Sequence, residues 1–450
     1  MTNGARPAAG SRQITRLALP ALGVLAAEPL YLLFDTAVVG RLGALSLAGL
    51  AIGSLVLGLV GSQATFLSYG TTARSARHFG AASRSAAVNE GVQATWLALG
   101  LGVLIIVAVE AVAVPLVSLI SGAGTRGSGG AEGGAITAAA VPWLRIAILG
   151  TPAILVSLAG NGWMRGVQDT VRPLRYVIVG FGLSALLCPL LVYGWLGFPR
   201  WGLSGSAVAN LAGQWLAALL FASALLSEGV PLRPDRAVLR AQLVMARDLI
   251  VRSLAFQACF VSAAAVAARF GAVALAAHQV VLQLWGFLAL VLDSLAIAAQ
   301  SLVGAALGAG DVAHARWVAW RVTAFSLVAA GVLAAVLGLG AEELPLLFTD
   351  DRSVLTAIGV PWWFMVAQLP LAGIVFALDG VLLGAGDAKF MRTATVVSAL
   401  AGFLPLIWLS LAFGWGLAGI WSGLSMFVAL RLLFVGWRTV SGHWAVAGAA

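Results

Sequence analysis

Asp35 stands inside an apolar run, Leu17 to Gly43, that is about as long as a bilayer core is thick. A charge at bilayer depth costs at least ~2.5–3.5 kcal/mol on insertion scales, so this residue needs a polar interior to face. Desolvation disfavours the ionised form of a carboxyl. A lone acid among apolar helices is therefore suited to exchanging a proton. A Na⁺ site needs several oxygen ligands and usually more than one charge. Tyr31, close by, can add a hydroxyl. The alternative for Asp35 is structural: it precedes Gly40 by five residues, where a helix end near an interface would hydrogen-bond it. Glu28, beside Pro29, is either a second acid on a proton path or a solvated group lining a pore. Asp293 is the other deep acid, in Trp285–Gln300, and Gln300 follows seven residues later on the same helix face. His278 opens that span and Gln283 follows it. With Trp285 and Phe66 as wall, these groups suit a chamber that attracts organic cations. The alternative for Asp293 is a polar tether between helices. Asp169, Asp311, Asp379 and Asp387 fall in or beside loops rich in Gly and Arg, and suit turns and gate salt bridges.

Enzyme chemistry finds little support. No HExxH, GxSxG or CxxC occurs, and no span holds the close acid pair that a Mg²⁺-diphosphate site needs. Glu342-Glu343 with Asp350-Asp351 is the one dense acidic patch, and it belongs to a predicted external loop. No metal and no cofactor are expected.

The elements that must position these residues are membrane helices. The chain is 61% hydrophobic and 10% charged, with a mean hydropathy of +1.00, far from a soluble domain. About twelve spans are predicted, near 15–40, 45–70, 91–119, 136–158, 174–196, 203–227, 248–270, 274–302, 317–340, 355–382, 391–412 and 416–438. With the N-terminus inside, twenty of the 26 Lys and Arg residues fall on the inner side. Arg41, Arg126, Arg145, Arg200, Arg269 and Arg352 fall outside. That asymmetry predicts cytoplasmic termini in a multi-pass protein of the inner (plasma) membrane. It also explains the net charge of +9 without a nucleic-acid partner. The basic N-terminal tail lacks the apolar core and cleavage site of a signal peptide. Cys188 and Cys259 lie in apolar runs and read as packed thiols.

The chain repeats itself. Arg41–Ala48 (RLGALSLA) matches Arg269–Ala276 (RFGAVALA) at an offset of 228, and Gly80-Ala81 matches Gly308-Ala309 at the same offset. Pro152, Gly162, Gly166 and Asp169 match Pro370, Gly380, Gly384 and Asp387 at 218. Trp201–Gly205 matches Trp415–Gly419 at 214. A Gly-rich external loop, Ser121–Ala135, accounts for the first change of offset. The fold class expected is an all-α polytopic membrane protein, two six-helix bundles related by a pseudo-two-fold axis along the membrane normal. The bundles comprise residues 1–227 and 248–450, with a linker over 228–247 that is either a solvated connector or a short amphipathic helix on the membrane surface.

Four stretches carry a family resemblance: Asp35–Gly43 (DTAVVGRLG), Ala276–Gln279 (AAHQ), Gln300–Asp311 (QSLVGAALGAGD) and Leu378–Asp387 (LDGVLLGAGD). The chain resembles the multidrug and toxic compound extrusion (MATE) family, and its DinF branch in particular, over nearly its whole length. The resemblance implies antiport, a cation entering as an organic compound leaves. It implies Asp35 as the coupling carboxylate, Asn161 as a partner, and an Asn-x-x-x-Asp pair at the positions here held by Ser184 and Cys188. The second acid of that cluster is therefore missing. The seventh span, Arg252–Arg269, lacks the glutamate of the NorM branch and holds only Gln257 as a large neutral polar group, a further candidate for the chamber, so H⁺ rather than Na⁺ is the coupling ion expected. The deep spans read as holding acids and glutamines and almost no buried arginine, which points to cationic or neutral amphiphilic cargo carried by a monomer. An organic-acid exporter or a lipid-linked flippase of the same superfamily is the alternative.

Overall fold

Hydrocarbon offers no water to backbone N–H and C=O groups, so a chain this apolar must satisfy them within helices. A computed structural model describes residues 10–123 and 128–448. Arg6 and Arg126, part of the charge asymmetry, lie outside the described residues. The elements run α1 (Ser11–Gly40), α2 (Ala44–Ala64), α3 (Phe66–Gly80), α4 (Arg84–Ser121), α5 (Ser128–Ile148), α6 (Thr151–Gly166), α7 (Val171–Tyr193) and α8 (Leu203–Ser227). They continue as α9 (Arg236–Arg269), α10 (Ala272–Gly308), α11 (Val312–Leu339), α12 (Arg352–Gly384), α13 (Ala388–Ser398), α14 (Leu404–Phe413) and α15 (Gly416–Ser441). Among the described residues, eleven segments are long and apolar enough to cross a membrane; α5 and α6, bent by 45° at their break, make a twelfth if read as one span. The all-helical, roughly twelve-span architecture read from the sequence holds.

The structure corrects one expectation locally and adds detail to another. The Gly-rich loop is largely helix, because α5 already begins at Ser128; only residues 124–127 of it lie outside the described residues. The linker is exposed over residues 231–237 and from Arg236 is the start of a helix that continues into the next span. Asp235 caps the start of α9 by accepting from Ala237 N at 2.8 Å, and α9 then runs on without a break to Arg269. The residues before and just after that cap are tied to α4. Trp96 Nε1 donates to Leu232 O at 2.7 Å, Gln93 Nε2 to Arg233 O at 2.9 Å, and Gln242 Nε2 to Glu90 Oε2 at 2.9 Å. Arg84 grips Glu228 through both carboxylate oxygens, at 2.9 and 2.6 Å, and holds that carboxyl below its ordinary range.

The helices cluster into two compact units. The first comprises Gly23–Thr71 with Arg84–Leu243; the second comprises residues 244–448 with 10–22 and 72–83. Within each, the repeat seen in the sequence recurs as geometry. In the first unit a Cβ on Gly162 would meet Ser68 O at 2.8 Å; in the second, one on Gly380 would run into Ala296 O. The two pairs are related by the same offsets, 218 and 228, that the sequence shows. Inside the second unit α3 and α10 cross backbone to backbone. A Cβ on Gly80 would overlap Ala305 O, and one on Gly308 would overlap Arg77 O. These contacts exchange under the offset of 228. Small residues let membrane helices approach this closely where no hydrophobic driving force draws them together.

Gly308→Ala should therefore cost about 1–3 kcal/mol by overpacking and lower the thermal unfolding midpoint of the purified protein. Gly58→Ala, at a position with open space around it, should leave the midpoint unchanged or raise it.

Candidate functional site

The first unit encloses Asp35 completely; none of its surface reaches solvent. Helix α1 carries it between α7 and α8. Ser206 Oγ donates to Oδ2 at 2.8 Å and Cys188 Sγ donates to Oδ1 at 3.2 Å. Trp143 Nε1 donates in turn to Ser206 Oγ at 3.3 Å. A second tie holds α1 in place nearby, Tyr193 Oη donating to Val38 O at 2.6 Å. Every direct partner of the carboxyl is a neutral donor, and no ion pair to Asp35 is formed among the described residues. A hydroxyl has one donor and two acceptor sites. Ser206 can therefore serve the carboxyl in either protonation state by rotating its O–H, which suits an acid that gains and loses a proton.

The expected partners divide. Ser184 and Tyr31 lie beside one another and beside Asp35 and Cys188. Both hydroxyls are enclosed without a hydrogen-bond partner. Tyr31 is fixed by stacking on Phe181 at 5.3 Å between ring centroids. Ser184 fills the space left by Gly213, where any Cβ would collide with its Oγ. Asn161 is buried on α6, but its Oδ1 has no partner and no hydrogen bond joins it to Asp35. Glu28 is exposed. Cys188, which reads as a packed thiol in the sequence, also donates its S–H to Asp35. Ser206 and Trp143 were not anticipated. Ser206 sits in the Leu203–Ala207 segment that opens α8, with nothing in the sequence around it to mark a partner for an acid on α1.

The residues proposed for a chamber wall scatter. Trp285 is part of the apolar core of the second unit, with Leu288, Ile358 and Met365; it packs and does not line. His278 is buried with its ring edge-on to Trp421 at 5.9 Å. Gln300 is buried at a close helix crossing, where a Cβ on Gly384 of α12 would meet its carbonyl oxygen at 2.5 Å. Asp293 and Gln257 are half-buried and Gln283 is exposed. Phe66, in the first unit, lines a small cavity with Leu67, Thr71 and Gln242.

Asp379 and the arginines overturn a larger expectation. Asp379 is buried near the end of α12, beside the loop that follows. Arg431 Nη2 lies 2.5 and 2.6 Å from its two carboxylate oxygens, and Arg252 Nη2 lies 2.9 Å from Oδ2. In the charge asymmetry of the sequence both arginines count as topological charge at span ends. Yet Arg431 is 2% exposed, and Arg77 and Arg165 are buried as well. The spans do hold buried arginine, so the inference from its absence to cationic or neutral cargo loses its ground.

Comparison with known proteins fits this architecture. The MatE family model matches residues 20–190 and 249–408. Protein DETOXIFICATION 44, chloroplastic, of Arabidopsis thaliana is 33% identical over 96% of this chain and 83% of its own length. DNA damage-inducible protein F of Escherichia coli strain K12 is 30% identical over 96% of this chain and 92% of its own. Among solved structures, a crystal structure of MATE in the bent conformation superposes with a TM-score of 0.84 at 23% identity, covering 96% of this chain and 94% of that one.

Ser206→Ala removes the donor to Oδ2 and strands the Trp143 N–H, a loss of about 1–3 kcal/mol at a buried site. It should lower the unfolding midpoint more than Cys188→Ala does, because a thiol is the weaker donor.

Proposed function

Since the chain belongs to the MatE family of multidrug and toxic compound extrusion transporters, we propose that it is a secondary antiporter that exports an organic compound in exchange for H⁺, with Asp35 as the coupling carboxyl. One observation supports this above the others. Asp35 is dry and held by neutral donors only, so nothing fixes its charge and a proton is the cation its surroundings suit. The missing second acid, replaced by the Cys188 thiol, argues in the same direction, since a Na⁺ site wants several hard oxygen ligands. Each charge falling through 100 mV supplies ~2.3 kcal/mol to drive export. On this reading the protein works as a monomer in the inner (plasma) membrane, with both termini cytoplasmic, as its charge asymmetry suggests.

For cargo, two readings stand. Cationic or neutral amphiphiles are the cargo that Asp293, as a substrate-facing carboxylate, would attract. Organic acids are favoured by the buried Arg252 and Arg431, and a specific observation thus raises the second reading beside the first.

Efflux from inverted vesicles tests the coupling. Ethidium serves as the cationic probe and benzoate as the anionic one, with a pH or a Na⁺ gradient imposed. The pH gradient should drive transport of at least one probe, and Asp35→Asn should reduce it tenfold or more. Transport driven by Na⁺ alone, or undiminished in Asp35→Asn, would overturn the assignment.

A further inference from the structure

Arg252, Asp379 and Arg431 come from α9, α12 and α15, all within the second unit. The charges in this cluster do not cancel: two guanidiniums face one carboxylate. Side-chain exposure is 17% for Arg252, 3% for Arg431 and 8% for Asp379, so solvent does little to balance the excess. The hydrogen bonding is incomplete as well. Arg431 spends one nitrogen, Nη2, on both oxygens of Asp379, and the enclosed Nε–H of each arginine has no acceptor. A guanidinium carries five donors and no acceptor, so only a further acceptor, and best an anion, can complete the set.

The rest of the second unit offers a comparison. Asp248 also faces two arginines, Arg247 at 3.1 Å and Arg392 at 2.7 Å. There Arg247 is 63% exposed, and water neutralises the surplus. Asp387 meets Arg438 one to one at 2.7 Å. The Asp379 cluster alone among these three is both dry and positively charged.

Aromatic rings surround it. Phe256 lies 5.4 Å from Arg252 Cζ and 5.2 Å from Arg431 Cζ, and Phe427 lies 5.9 Å from Arg431 Cζ. Ring faces soften the cost of the cations but accept none of the in-plane N–H bonds. The rings continue as a row, Phe256 edge-on to Phe427 at 5.4 Å and Phe427 tilted against Phe403 at 5.6 Å. An apolar or aromatic body whose charged end meets the arginines would have these rings as neighbours. Planar guanidinium forks match a carboxylate through paired N–H bonds.

We propose that the Arg252–Asp379–Arg431 cluster is a binding site for a singly charged anion, either the carboxylate of an organic acid with an apolar body or a halide. As a cargo site it rests on the organic-acid reading above; as an anion site it stands on the cluster itself. Asp379 acts as an internal competitor that holds the two arginines in register until the anion arrives.

The test uses the purified full-length protein in detergent at pH 7.5, titrated by calorimetry with sodium benzoate, with neutral benzamide, and separately with sodium chloride. Saturable benzoate binding with no response to benzamide identifies the carboxylate. Equal binding of chloride identifies a halide site. Arg252→Gln, at the least buried member, should weaken binding tenfold or more, whereas Asp379→Asn, which removes the competitor, should tighten it. Should either variant fail to fold, Phe256→Leu keeps all three charges and should still weaken benzoate more than chloride. No binding of either anion to the wild type overturns the proposal, as does binding that none of these variants alters. Benzoate export without binding at this cluster would leave the organic-acid reading intact and move its site elsewhere.

Discussion

A carboxyl buried in a helix bundle with no cation beside it is the condition on which the first unit is built. Desolvation acts on the charged form of such a group and leaves the neutral form almost untouched. The surroundings of Asp35 therefore have to be polar enough to tolerate an ion and apolar enough not to require one. Ser206 and Cys188 meet that condition as uncharged donors on α8 and α7. An arginine in either place would have pinned the acid in its ionised state. The close crossing of α7 and α8 serves the same end. Gly213 gives its space to Ser184, and at Gly205 of α8 a Cβ would meet the Leu191 carbonyl oxygen at 2.6 Å. Helix spacing at this crossing is thus what places Cys188 and Ser206 on opposite oxygens of a single carboxyl.

Much of the fold was legible because membrane helices announce themselves. Long apolar runs, the split of Lys and Arg between loops, and glycines repeated at fixed offsets all have direct physical causes. Gly162 and Gly380 recur in the sequence because each allows its helix to touch a backbone carbonyl, Ser68 O in one unit and Ala296 O in the other. The errors fell where one signal carries two meanings. Glycine between Ser121 and Ala135 read as loop, yet glycine is tolerated in a membrane helix, where backbone bonds have no competitor in water. Arg252 and Arg431 read as loop charge because they stand near span ends, and depth along a helix says nothing about which face a residue presents.

The site was legible only in part for a related reason. Asp35 stood out because an acid in an apolar run is costly and so demands an explanation. Its partners do not stand out: Ser206, Cys188 and Trp143 are ordinary residues of membrane helices, and only the packing of α1, α5, α7 and α8 makes them partners. Trp285 shows the same ambiguity from the other side. A large aromatic in a span suggested a wall, but the commoner use of such a ring is to fill a core, and that is what it does beside Leu288 and Met365.

The repeat itself shows how the two units came to differ in charge. At the offset of 228, Asp35 corresponds to Ala263, a residue of the apolar core of the second unit. At 218, the buried amide Asn161 corresponds to Asp379. Arg252 and Arg431 correspond to Val24 and Ala217. The repeat thus carries a buried acid held by neutral donors in one copy and a buried carboxylate between two guanidiniums in the other, at positions it does not equate. A carboxyl with neutral partners responds to protons; guanidiniums in excess of carboxylate respond to anions. On the proposals made above, a shared backbone plan with differently partnered buried charges would let each copy answer a different solute. Either response can evolve without disturbing the glycine crossings on which both units depend.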